Sequence, residues 1–157
     1  MRTSSAVLSG VVVMAVTLQQ AARCEQNSAT VRIGPLPAES LDPLDGGQCV
    51  CHAFHKASAL TERTVIFSTT PDSGCIRLDS REHNLRHQSR EPNGQGYINA
   101  YSGEGIAISR RTTEVQFGQV CGAYADSPLH GSCFAGTMTV RAGGKSTSVP
   151  IVLLCGC

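Results

Sequence analysis

The sequence predicts an all-β, disulfide-rich β-sandwich of about seven or eight short strands, and three observations predict it. Apolar residues recur with period two in short stretches, as in GIAISR from Gly105 to Arg110, where Ile106 and Ile108 alternate with small or polar neighbours. Gly, Pro, Ser and Asp punctuate those stretches at intervals of about ten residues. Eight cysteines fall in a chain of 157 residues, four of them as two Cys-x-Cys pairs, Cys49-Val50-Cys51 and Cys155-Gly156-Cys157. Residues i and i+2 of a strand share a face. Each pair therefore presents two sulfurs side by side, and a ring closed within the pair is too strained, so each sulfur is directed at a partner elsewhere.

The N-terminal residues set the compartment in which those cysteines are read. Met1-Arg2-Thr3 is a short positive region, AVLSGVVVMAVTL from Ala6 to Leu18 is apolar, and Gln19 to Arg23 is a polar exit with small residues. This is the pattern of a secretory signal over residues 1–22; the apolar stretch is short for a membrane span. Cleavage after Ala22 keeps Cys24 and eight thiols, whereas cleavage after Cys24 places Ala22 at the −3 position and leaves seven. The first is the preferred reading. Removing Arg2 with the signal lowers Lys+Arg from 13 to 12 against 12 Asp+Glu, so the mature chain is near neutral and lacks the charge of a general nucleic-acid binder.

One domain is expected after the signal. Its core is thin in large side chains, with 4 Phe, 3 Tyr and no Trp, and disulfides worth about 2–4 kcal/mol each are the usual remedy in secreted domains. The last apolar run, Val149 to Leu154, includes Pro150 and is too short to span a membrane or to form the tail of a lipid-anchor signal. None of Asn27, Asn84, Asn93 and Asn99 lies in a glycosylation sequon. A secreted chain with no direct membrane span follows as the expectation.

Taken in order, residues 23–48 offer a possible strand at Ala29–Ile33 and then an extended Pro-rich segment, since Pro35, Pro37 and Pro43 oppose a helix. The disulfide-stapled sandwich domain then covers 49–157. Cys49 to Leu60 starts as a strand and has a helical option in AFHKASAL. Thr64 to Thr69 (TVIFST) is a strand, closed by the turn Pro71-Asp72-Ser73-Gly74 and followed by a short strand at Cys75–Leu78. From Asp79 to Gly96 the chain is polar throughout and reads as a long loop. Strands are expected at Gly96–Ser102, Gly105–Arg110, Thr113–Cys121, Gly136–Ala142 and Ser146–Cys155, with a turn at Gly143-Gly144.

All eight cysteines (Cys24, Cys49, Cys51, Cys75, Cys121, Cys133, Cys155 and Cys157) are assigned to disulfides. Cys121 and Cys133 flank GAYADSPLHGS, and a bridge between them would pin the base of that loop. Among the other six, pairing a sulfur of Cys49/Cys51 with one of Cys155/Cys157 would join the first and last strands, leaving Cys24 and Cys75 for the remaining sulfurs; sequence leaves this connectivity open. A four-thiolate zinc site from the two Cys-x-Cys pairs, or redox chemistry at Cys49-Val50-Cys51-His52, is the competing reading. A prenylated C-terminus lacks the cytosolic phosphate-binding loop that accompanies it.

No catalytic residue is assigned, because neither a Gly-x-Ser-x-Gly elbow nor a His-Glu-x-x-His helix is present, and no metal or cofactor is expected. Binding candidates lie in two loops. Arg81, Arg86 and Arg90 stand with Arg77, His83 and His87 in a basic stretch suited to an acidic glycan, diluted by Asp79, Glu82 and Glu91. Asp126 and His130 stand in the Cys121–Cys133 loop, where a partner would meet them.

Cys155-Gly156-Cys157 after the apolar run Pro150-Ile151-Val152-Leu153-Leu154, with Cys121 and Cys133 upstream, resembles the six-cysteine surface-antigen domains of apicomplexan parasites over residues 49–157. The chain departs from that pattern in having eight cysteines and an extra Cys-x-Cys at the start. The resemblance implies a β-sandwich without enzymatic activity that serves adhesion, complex assembly or immune evasion. The expected function is accordingly a secreted, non-enzymatic binding or adhesion module with an extracellular or surface protein as partner. Two alternatives stand beside it: an enzyme inhibitor presenting the Cys121–Cys133 loop, and a small metal- or redox-active protein.

Overall fold

Along Ile106–Val115 buried and exposed side chains alternate, with Ile106, Ile108, Arg110 and Thr112 on the dry face. A strand of this kind needs one sheltered side, and here that side turns into the lumen of a closed sheet. The computed structural model describes residues 30–41, 49–56, 64–116, 121 and 131–156. Among the described residues the chain forms one 3₁₀ turn, Ala38–Ser40, and nine strands: β1 (Ile33–Gly34), β2 (Val50–His55), β3 (Val65–Thr69), β4 (Ser73–Leu78), β5 (Arg81–Asn93), β6 (Gly96–Gly103), β7 (Ile106–Val115), β8 (Gly131–Ala142) and β9 (Lys145–Gly156). No helix among these residues is long and apolar enough to cross a membrane.

From β2 onward each strand pairs antiparallel with its successor, and β9 returns to pair with β2 from Val50↔Gly156 to His55↔Ile151. Eight strands thereby close into an up-and-down barrel. The ninth, β1, pairs with the end of β4 (Ile33↔Leu78 and Gly34↔Arg77), beyond the stretch that β3 occupies. Closure removes the long open edges of the sheet, leaving the two-residue β1 and the mouth half of β5 paired on one side only.

The all-β class and the disulfide bonds expected from sequence are present, but the sandwich is corrected to a barrel. Short alternating strands serve both plans. What separates them here is the β2–β9 pairing, made between segments about a hundred residues apart, which no local pattern encodes. A second correction concerns the polar stretch 79–96, expected as a loop. It forms β5 and the turn leading to β6. Of its central residues Leu85 is buried while His83 and His87 are half-buried on alternate positions; one leucine facing the lumen is all the apolar content this wall strand requires. Finally, the separate strands expected on either side of Arg111–Thr112 are one strand, β7. The helical option in AFHKASAL is overturned where it is described, since Ala53–His55 belong to β2. Residues 57–60, 117–120 of the expected Thr113–Cys121 strand, the signal at 1–22 and the segment 42–48 lie outside the described residues.

The barrel interior holds the main core, which includes Phe67, Ile76, Leu78, Leu85, Ile106, Ile108, Met138, Val140, Ile151 and Leu153. A second apolar cluster lies on the outer wall, where Leu36 covers Phe54, Val65, Val152 and Leu154 beside the Cys121–Cys133 bridge. This is why β9 is buried on both faces from Ile151 to Leu154. Each aliphatic side chain so enclosed stabilises by about 1.5–3 kcal/mol relative to exposure.

The connections differ between the two ends. At one end β4–β5, β6–β7 and β8–β9 are joined by the two-residue turns Asp79-Ser80, Glu104-Gly105 and Gly143-Gly144, all with positive φ. That is the turn geometry whose twist matches paired strands. We call this end the floor. At the other end, the mouth, lie the connections β3–β4, β5–β6 and β7–β8.

Candidate functional site

The mouth opens into a cavity of about 320 Å³ lined by side chains from β2, β3 and β5 to β9. Alternation puts them there. On β7 the inward positions run Ile106, Ile108, Arg110, Thr112 from floor to mouth, so the same period that packs the apolar core delivers a guanidinium and a hydroxyl above it. On β6 the inward series Tyr97, Asn99 and Tyr101 lines the adjoining part of the wall, with Asn99 beside Arg110 and Tyr97 beside Thr112. On β5 the register shifts between His87 and Ser89. This bulge admits one extra residue, so that His87 faces Tyr101 and Arg90, opposite Asn99, still lines the cavity.

Arg110 is the centre of the site. Its side chain is only 4% exposed, and Nη1 donates to Thr69 Oγ1 at 3.3 Å. Thr69 Oγ1 in turn donates to the Cys51 carbonyl at 3.5 Å. The guanidinium carbon stands 5.5 Å from the centroid of the Tyr101 ring, which packs edge-on against Phe67 with centroids 5.1 Å apart. Arg110 Nε is buried without a hydrogen-bond acceptor, and no carboxylate among the described residues forms an ion pair with this side chain. Desolvation by burial lowers the Arg110 pKa, an effect opposed by the Tyr101 phenol and reinforced by the positive charge of Arg90. Buried charges are ordinarily paired, because an unpaired one is expensive. Among the described residues Arg110 has no such partner.

Around it the cavity mixes polar and apolar walls. Asn99, Thr69 and Thr112 are buried polar groups, and Thr112 Oγ1 donates to the Tyr97 carbonyl at 3.5 Å. His87 Nε2 is buried without a partner, its ring 5.1 Å from that of Tyr101. Phe134 and Leu153 supply apolar surface. At the rim Arg90 lies over Tyr97 with its guanidinium carbon 3.7 Å from the ring centroid.

Two of the disulfides anticipated from sequence are present. Cys51 joins Cys155 across the β2–β9 seam, 104 residues apart, and lines the mouth; Cys121 joins Cys133 on the outer wall. Cys49, also at the mouth, is disulfide-bonded. With Cys51 and Cys155 bonded to each other, the two Cys-x-Cys pairs do not form a four-thiolate zinc site. Cys75 is half-buried on β4; Cys24 and Cys157 lie outside the described residues.

The three arginines singled out on sequence are not gathered into one patch. Arg81 is at the floor, 3.9 Å from Glu104, which also meets His83 at 2.8 Å. Arg90 is at the mouth, nine residues and roughly 30 Å along the strand, and the exposed Arg86 lies between them on the outer face, opposite Ser73. Of the three only Arg90 belongs to the cavity. Asp126 and His130 lie outside the described residues. Sequence reasoning missed Arg110, Asn99 and Thr112. Arg110 carried a signal all the same: it continues the inward face that Ile106 and Ile108 begin. No family model matches this chain, and no curated protein or solved structure matches it.

Proposed function

We propose that the protein is a secreted, non-enzymatic binding module, acting in the extracellular space or at a cell surface, and that the barrel mouth is its binding site. The convergence of buried polar groups on one apolar-walled cavity carries this reading; such pockets, with a few placed polar groups, are the usual form of a ligand site. The disulfides of Cys49, Cys51, Cys121, Cys133 and Cys155 suit an oxidising compartment.

The chain has no Trp, which makes a direct test possible. Ser132→Trp places a single tryptophan at the mouth, and Arg141→Trp places one at the exposed floor end. Small-molecule fractions of the medium in which the producing cells grow are titrated against both. A saturable emission change in the Ser132→Trp protein alone supports the reading. No change in either, or an equal change in both, overturns it.

A second reading rests on the Cys121–Cys133 bridge, which pins the ends of the intervening segment. It takes the chain as an enzyme inhibitor that presents Asp126 and His130 to a target. Replacing both residues by Ala would then abolish inhibition and leave the unfolding midpoint unchanged.

A further inference from the structure

Resting on the binding-module reading, we propose that the ligand of the mouth is a small organic carboxylate whose acid group pairs with Arg110 and whose apolar body fills the remaining cavity. Arg110 is nine-tenths buried, faces the cavity, and donates to Thr69, with Nε unsatisfied. A guanidinium presents five donors in a planar fork that matches a carboxylate two bonds at a time. The second cation near it, Arg90, lies at the rim above the same cavity, so the local field favours an entering anion, and no described acid opposes it within ion-pair reach.

The size and lining of the cavity then choose among anions. An inorganic oxyanion would occupy a small part of about 320 Å³ and leave Tyr101, Phe134 and Leu153 facing empty space or disordered water. Those three side chains call for an apolar, preferably planar, continuation of the ligand; aromatic rings stack favourably on one another and on guanidinium faces. Asn99 and Thr112, buried beside this wall, supply further hydrogen bonds to a polar substituent.

The probes are 2-naphthoate and its neutral counterpart 2-naphthamide, whose fluorescence is read against a protein free of tryptophan. For the unaltered disulfide-bonded protein, naphthoate is expected to bind about tenfold or more tightly than naphthamide. Arg110→Met is expected to erase that preference, and Arg111→Met, an exposed neighbour on the opposite face, to keep it. Equal affinity of the two probes, or an unchanged preference in Arg110→Met, overturns the carboxylate and leaves the mouth as a binding site. Phosphate or sulfate displacing naphthoate more effectively than benzoate does overturns the organic body. Failure of both probes to bind removes the carboxylate proposal, while the tryptophan titration described above decides the binding-module reading separately. The comparison of the two probes on unaltered protein needs no variant to fold.

Discussion

The two ends of the barrel are built from the same eight strands and enclose opposite chemistries. At the floor, Leu78, Leu85, Ile106, Ile108, Met138 and Val140 fill the lumen below tight two-residue turns. At the mouth, inward positions carry Thr69 on β3, Asn99 on β6, and Arg110 and Thr112 on β7, all buried. Two steps along β7 separate Ile108 from Arg110. The floor has the composition that stability selects, and the mouth has one that stability alone would remove, because a buried guanidinium without a carboxylate costs more than a methionine of similar length. Local departures from the rules of a good core concentrate where a protein binds something.

Four expected outcomes sharpen or break this contrast. The largest concerns the seam. Full reduction opens Cys51–Cys155, whose loop of 104 residues corresponds to about 4–5 kcal/mol in the chain-entropy account. Urea unfolding with and without reductant should show a loss of at least that order, since reduction also opens Cys121–Cys133. Hydrogen exchange should show β2 and β9 near the mouth opening before the β6–β7–β8 meander at the floor. Simultaneous loss of both ends would break the contrast.

Next in size, Ile108→Ala, at a residue with 2% exposure in the floor core, should cost about 2–5 kcal/mol by equilibrium unfolding. Third, Arg110→Met at the mouth should act in the opposite direction and stabilise the empty protein by about 1–2 kcal/mol. Burial lowers the folded pKa of Arg110, so the folded chain holds this proton less firmly than the unfolded chain. The penalty is therefore in full force at every pH below the folded pKa and fades only as pH rises through it. The gain from Arg110→Met should accordingly not shrink on acidification. A loss of stability in this variant would mean that Arg110 serves the fold. Smallest, Ser80→Gly at a floor turn, where φ is 72°, should raise stability by about 1 kcal/mol by relieving the left-handed conformation of a non-glycine residue, seen as a rise of a few degrees in Tm.

Local features of this architecture were legible in the sequence to the extent that they are encoded locally. Alternation marked β7 and part of β8, and apolar runs marked β3 and β9. The turn residues marked Gly143-Gly144 and the β3–β4 corner, and the cysteine spacing marked Cys121–Cys133 and offered, among open connectivities, the bridge that joins β2 to β9. β5 was hidden because its alternation is polar against polar, with Leu85 as its one large buried apolar residue. The closed form was hidden because it depends on the pairing of residues 50–55 with 151–156, a property of the whole chain. The site was hidden for a related reason. Arg110, Asn99 and His87 come from three neighbouring strands, and closure sets Thr69, Cys51 and Leu153 of β3, β2 and β9 around the same cavity. The arginines that did stand out, Arg81, Arg86 and Arg90, are close in sequence but spread along an extended strand and over both of its faces.

Closure also orders events in time. The hairpins from β3 to β9 join neighbours in sequence, whereas β2 meets β9 across nearly the whole domain, and contacts between distant segments form slowly because their loop must close first. Until then both strands expose raw edges, and the Cys51 and Cys155 sulfurs are far apart. Oxidation of that pair is thus a record that the barrel has completed itself and that its mouth exists.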